Sequence, residues 1–70
     1  MLVWPNPATG TVTVRAAQAG TVQLLDAVGR EVRATRAAAG QDVRWELAGL
    51  PPGLYVVRAG AATRRLVVAP

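Results

Sequence analysis

The chain has 70 residues, 51% of them hydrophobic, and eight basic against four acidic side chains give a net charge of +4. A chain this short makes one domain and buries only about 60% of the surface its unfolded form exposes, so neither a second unit nor a large core is expected. It contains no Cys, His or Ser, which excludes a disulfide framework and a thiolate, leaves no nucleophile–base pair to draw, and offers a metal only scattered carboxylates.

The apolar share consists of fourteen Ala, eleven Val, seven Leu, two Trp, one Tyr and one Met, with neither Ile nor Phe. A core drawn from Val, Leu and aromatics favours a pleated, half-buried surface, which points to β structure. Residues 1–10 are expected to be a lead-in to a sandwich over residues 11–68, the whole forming a single domain over 1–70. Met1 to Pro5 lacks a basic segment followed by a long apolar run, so no signal peptide is expected in this stretch. No apolar run approaches the ~20 residues of a membrane span.

Within the lead-in, Pro5-Asn6-Pro7 holds the chain extended and cannot sit inside a central ladder, because proline lacks an N–H. Trp4 before it is expected to lid one end of the core. Thr11 to Ala16 alternates polar and apolar residues, the mark of a half-buried strand, and Gln18-Ala19-Gly20 turns the chain. Thr21 to Asp26 is the second strand, with Val22 and Leu24 inward. After it the Asp26 carboxylate can accept backbone N–H bonds, and Gly29 takes the left-handed conformation that closes a type I hairpin turn. Glu31 to Thr35 returns with Val32 inward. Ala37 to Gly40 is expected to be a loop, because four residues ending in Gly do not nucleate a helix.

Asp42 to Leu47 alternates most cleanly, with Val43, Trp45 and Leu47 on one face. Leu50 is expected to plug the end of the core. Pro52-Gly53 suits the central positions of a type II turn, so Leu50 to Arg58 reads as a second strand–turn–strand unit. Leu54 to Ala59 is apolar on both phases except at Arg58 and reads as a central strand. Gly60-Ala61 turns into the final strand, Thr63 to Val68. Six short strands with Gly and Pro turns predict an all-β fold, a small antiparallel sandwich.

Four of these segments, taken in order, resemble the type A C-terminal sorting domain of proteins exported by the bacterial type IX secretion system. They are Trp4-Pro5-Asn6-Pro7; Val22, Leu24, Asp26, Gly29, Arg30 and Val32; Leu50 to Tyr55; and Arg65-Leu66-Val67-Val68. The chain departs from the pattern in having Trp4 for the commoner Tyr, and Ala69-Pro70 where many members end in a basic residue. The resemblance implies an immunoglobulin-like β-sandwich of six to seven strands at the end of a larger protein of a Bacteroidetes-type bacterium. It further implies recognition by the outer-membrane translocon and cleavage by a sortase-like protease. The upstream passenger would then be secreted or held at the cell surface, joined to anionic lipopolysaccharide. No cofactor is implied.

On that basis the candidates for recognition are Pro5, Asn6, Pro7, Asp26, Gly29, Arg30, Gly53, Tyr55, Arg65, Leu66, Val67 and Val68. A terminal strand lies at a sheet edge, where a partner strand can add to it, so Arg65 to Val68 is expected to make the primary contact. Bland roles compete with this reading. Asp26 and Gly29 serve the turn, Tyr55 packs with its hydroxyl on a backbone acceptor, and Arg64 and Arg65 guard an edge. Nucleic acid is not expected as a partner, because Arg15, Arg33, Arg44 and Arg58 are spread one per strand on outward phases without interleaved aromatics. The alternative is an accessory sandwich that binds carbohydrate, with Trp4 as its platform, or that mediates adhesion or assembly.

Overall fold

Val12 and Val14 alternate with Thr11, Thr13 and Arg15, and this period of two decides which side of the second strand faces inward. The computed structural model describes Met1–Pro70 as seven strands and no helix. They are β1 (Leu2–Trp4), β2 (Thr11–Arg15), β3 (Gly20–Leu25), β4 (Glu31–Ala37), β5 (Asp42–Glu46), β6 (Gly53–Ala59) and β7 (Ala62–Val68). All strand pairings are antiparallel and fall into two sheets, β1-β2-β5 and β4-β3-β6-β7. Lettered in chain order, these are A-B-E opposite C′-C-F-G, an immunoglobulin-like sandwich whose fourth strand joins the C-F-G sheet.

The core lies between the sheets. Val12, Val14, Val22, Leu24, Val57 and Leu66 are its fully buried large side chains, and no polar or charged residue is buried with them. Val43, Trp45 and Leu47 share the inward face, as their alternation predicts. Trp45 satisfies its indole N–H by donating to Thr35 Oγ1 at 3.0 Å, which ties β5 to β4 across the sheets. The expected central strand is central: β6 pairs with β3 on one side and β7 on the other.

Five local expectations are corrected. Residues 1–10 are not merely a lead-in, since Leu2–Trp4 pairs with β2 and Ala8 has no exposed surface. The prolines end β1 without preventing it. Trp4 does not lid the core. It is 39% exposed on the outer face of β1, with the Arg15 guanidinium 5.3 Å from its ring centroid, a cation–π arrangement. Ala37 belongs to β4 and not to a loop, and it is buried there opposite Gly20.

Arg33 is the fourth. The register jumps from Leu24↔Arg33 to Leu25↔Glu31, leaving Val32 as the extra residue of a β-bulge. The bulge turns Val32 only half inward, against the core, and puts Arg33 on the core-side phase. The Arg33 guanidinium then reaches over to β5, where Nε and Nη2 donate to the Glu46 carbonyl at 3.3 and 3.1 Å.

The Leu50–Arg58 stretch is likewise not a hairpin. β5 and β6 lie in different sheets, so Pro51-Pro52 is a crossing between layers. Gly53 opens β6 at φ +149°, far from the roughly +80° of a type II turn, in a conformation that side chains rarely adopt. The crossing is held by Tyr55, which is buried and donates its hydroxyl to the Pro51 carbonyl at 2.6 Å. This is the bond of an immunoglobulin-type tyrosine corner, at the corresponding E–F position. Tyr55→Phe should lower unfolding stability by about 1 kcal/mol, seen as a lower urea midpoint at unchanged slope. Leu66→Ala, which empties core volume, should cost about 2–5 kcal/mol. Equal midpoints for Tyr55→Phe and the parent would show that the corner bond is dispensable.

Candidate functional site

All twelve recognition candidates come together at one end of the sandwich. The row Gly53–Val68–Ala8 joins the start of β6, the end of β7 and the Pro-Asn-Pro segment. Leu25 lies opposite Val56 and leads into the Asp26 turn beside them. That turn and the Pro51–Tyr55 crossing enclose an open groove of about 330 Å³, whose lining includes Val28, Val32, Leu50 and Leu54. Leu50 is half-buried against the core here, as expected of a plug.

The Asp26 turn is built from the carboxylate upward. Asp26 Oδ1 accepts the backbone N–H of Val28 at 3.0 Å and of Arg30 at 2.9 Å, while Oδ2 accepts from Arg30 Nε at 2.9 Å. Gly29 donates its N–H to the Asp26 carbonyl and takes φ +87°, which a residue with a Cβ adopts only at a cost. These bonds favour the charged carboxylate. The Arg30 backbone N–H, above all, holds Asp26 below the ordinary carboxylate pKa, with smaller help from the Arg30 side chain and the Val28 N–H. Asp42 is also lowered, mainly by its hydrogen bond from Arg15.

At the other side of this end, the edge of β7 is closed. Antiparallel geometry turns the N–H and C=O groups of Arg65, Val67 and Ala69 away from β6. Asn6 Nδ2 donates to the Arg65 carbonyl at 2.9 Å, and the Val67 N–H donates to Asn6 Oδ1 at 3.1 Å. Ala8 N–H donates to the Val67 carbonyl at 2.9 Å, and the Ala69 N–H donates to the Ala8 carbonyl at 2.7 Å. One asparagine amide therefore stands in for a strand, and Ala8 adds a single parallel bridge to Val68. Leu66 and Val68 point into the core, whereas Arg65 and Val67 point to solvent.

Sequence reasoning missed Leu54. It lies on the solvent face directly opposite Val67, and the two are 47% and 43% exposed. The signal was present in the apolar character of both phases of β6, which a central position alone does not require when one face of the sheet is open.

This is an all-β sandwich whose distinctive surface is a set of turns, a capped edge and an apolar face, with no group of three metal-ligating side chains. It has no helix long and apolar enough to cross a membrane. A family model for the secretion system C-terminal sorting domain matches residues 2–68, and the chain belongs to this family, the sorting domains of type IX secretion. The family is one of sorting signals and not of enzymes, and membership implies interaction with the type IX machinery and export to the outer membrane, cell surface or medium. No curated protein matches the chain.

Two predictions follow from the geometry of this end. Asn6→Ala should lower stability by about 1 kcal/mol and strip hydrogen-exchange protection from the Val67 amide, with the β6 amides unaffected; full protection at Val67 would show that Asn6 does not hold the edge. The second concerns acid. A carboxyl with a depressed native pKa stabilises the fold above its unfolded value, near 3.9, and this contribution is lost as pH falls through the lower native value. Stability in urea should therefore be level from neutral pH to about pH 4 and decline below it, with a shallower decline in Asp26→Asn.

Proposed function

We propose that this domain is a folded C-terminal address, read at the outer membrane by the type IX translocon, that directs export of a passenger joined ahead of it. A sortase-like cysteine protease then cuts between passenger and domain, and the passenger is released or attached at the surface. The observation that carries this reading is the family match over residues 2–68. The gathering of the Pro-Asn-Pro segment, the Asp26 turn, the Gly53 crossing and the end of β7 at one end of the sandwich supports it, because a recognised surface must be contiguous.

The placement of the chain start agrees. Met1 lines a concavity at the opposite end, beside Ala17 to Thr21 and Gly60-Ala61. A passenger joined there leaves the turn end uncovered.

The structure also dictates how the role must be tested. Deleting Arg65 to Val68 removes Leu66 and Val68 from the core, so loss of export after that deletion reports unfolding as readily as lost recognition. A cleaner test fuses a signal peptide and a reporter ahead of residues 1–70 in a type IX-secreting bacterium. The reporter should reach the surface or medium, freed of the domain. Retention of the fusion in the periplasm, in a host that exports the same reporter on one of its own sorting domains, would overturn the proposal.

A further inference from the structure

We infer that the domain docks through the solvent face of β6 and β7, side chain against side chain, onto an acidic protein surface of the secretion machinery; this rests on the sorting role proposed above. The alternative route, addition of a partner strand along the C-terminal half of β7, is obstructed. From the Arg65 carbonyl to the Ala69 N–H, each outward backbone group named above already has a partner in Asn6 or Ala8. Strand addition needs those groups free.

The open face has the chemistry that the edge lacks. Leu54 and Val67 form a non-hydrogen-bonded pair, the kind in which side chains lie closest, and both are well exposed. The adjoining row sets half-buried Leu25 and Val56 beside exposed Arg65. Period-two alternation would place polar residues at all four apolar positions. Single exposed apolar residues need no explanation, but a contiguous apolar patch rimmed by polar groups marks an interaction surface.

The rim commits the partner's charge. Arg65 and Arg58 lie on this face beside the apolar residues, with Glu31 as the carboxylate on the neighbouring strand β4. Arg58 and Glu31 are bridged through Gln23, which accepts from Arg58 Nε at 3.0 Å and donates to Glu31 at 2.7 Å. The two salt bridges of the fold, Arg15–Asp42 and Arg30–Asp26, leave both of these arginines without a carboxylate in direct contact. Charge complementarity therefore favours carboxylates around an apolar depression in the partner.

The reporter fusion tests this directly. Leu54→Glu with Val67→Glu should cut export at least about tenfold, and Arg65→Glu, at an exposed position, should cut it comparably without touching the core. Arg44→Glu makes the same charge change on the other sheet and should export normally. Each variant is first shown to unfold in urea at a midpoint close to the parent's. Normal export of the folded face variants, with the parent exported, would overturn the inference while leaving the sorting role intact; retention of the parent fusion itself would remove the role beneath it. Asn6→Ala, which frees the Arg65 carbonyl and the Val67 N–H, should bring no gain, and a gain alongside exporting face variants would assign recognition to strand addition instead. Sedimentation of the purified parent, but not the face variants, with phosphatidylglycerol vesicles or lipopolysaccharide would make the occupant an anionic lipid and likewise overturn the inference.

Discussion

An edge strand in a small sandwich exposes every second N–H and C=O to any extended chain that drifts past, and β7 would be such a strand without Pro5 to Ala8. Its inward residues, Leu66 and Val68, belong to the core, so the strand can be neither shortened nor frayed without loss of packing. The chain closes this edge from the Arg65 carbonyl to the Ala69 N–H with its own beginning, using one asparagine amide and one alanine backbone. The prolines then matter for what they withhold. Pro5 and Pro7 carry no N–H and the Ala8 N–H is spent on Val67, so the capping segment retains only the Asn6 backbone donor and does not become the next edge.

The capping contact also explains how seventy residues suffice without a disulfide. Small domains gain stability from cross-links that join distant parts of the chain. Here the first and last segments are joined by hydrogen bonds and by the burial of Ala8 against the end of β7. At the other open side of the sandwich, β4 and β5 are not paired but are stitched by Trp45 to Thr35 and by Arg33 to the Glu46 carbonyl. Both seams between the layers are thus closed by side chains that reach backbone or hydroxyl partners, with the Ala8 backbone adding to the first.

Much of this was legible in the sequence, and what was not has physical reasons. Val43, Trp45 and Leu47, or Asp26 and Gly29, announce themselves because alternation and turn chemistry are local. Pro52-Gly53 deceives because a turn signal says that the chain changes direction, not which sheet it enters next. Arg33 was misplaced by one bulge, since a single extra residue reverses the phase of a strand. β1 was hidden because three residues before a proline carry too little pattern to read. Within the candidate site, the membership of Asn6 and Arg65 was readable as motif, but their contact across most of the chain was not. Such contacts depend on topology, and no local window contains them.

The two terminal motifs hold residues of two kinds. In Gly53-Leu54-Tyr55 and in Leu66-Val67-Val68 the folding requirement is met by Tyr55, Leu66 and Val68, which face the core, and by Gly53, which has the backbone conformation that side chains avoid. Leu54 and Val67 satisfy no such requirement. They face solvent, where a polar residue would serve the strand as well and keep the protein more soluble. That the two superfluous apolar residues stand directly opposite one another is what separates a surface built to be read from one left over by folding. Stability alone accounts for every other apolar residue of these two motifs and gives no reason for this pair.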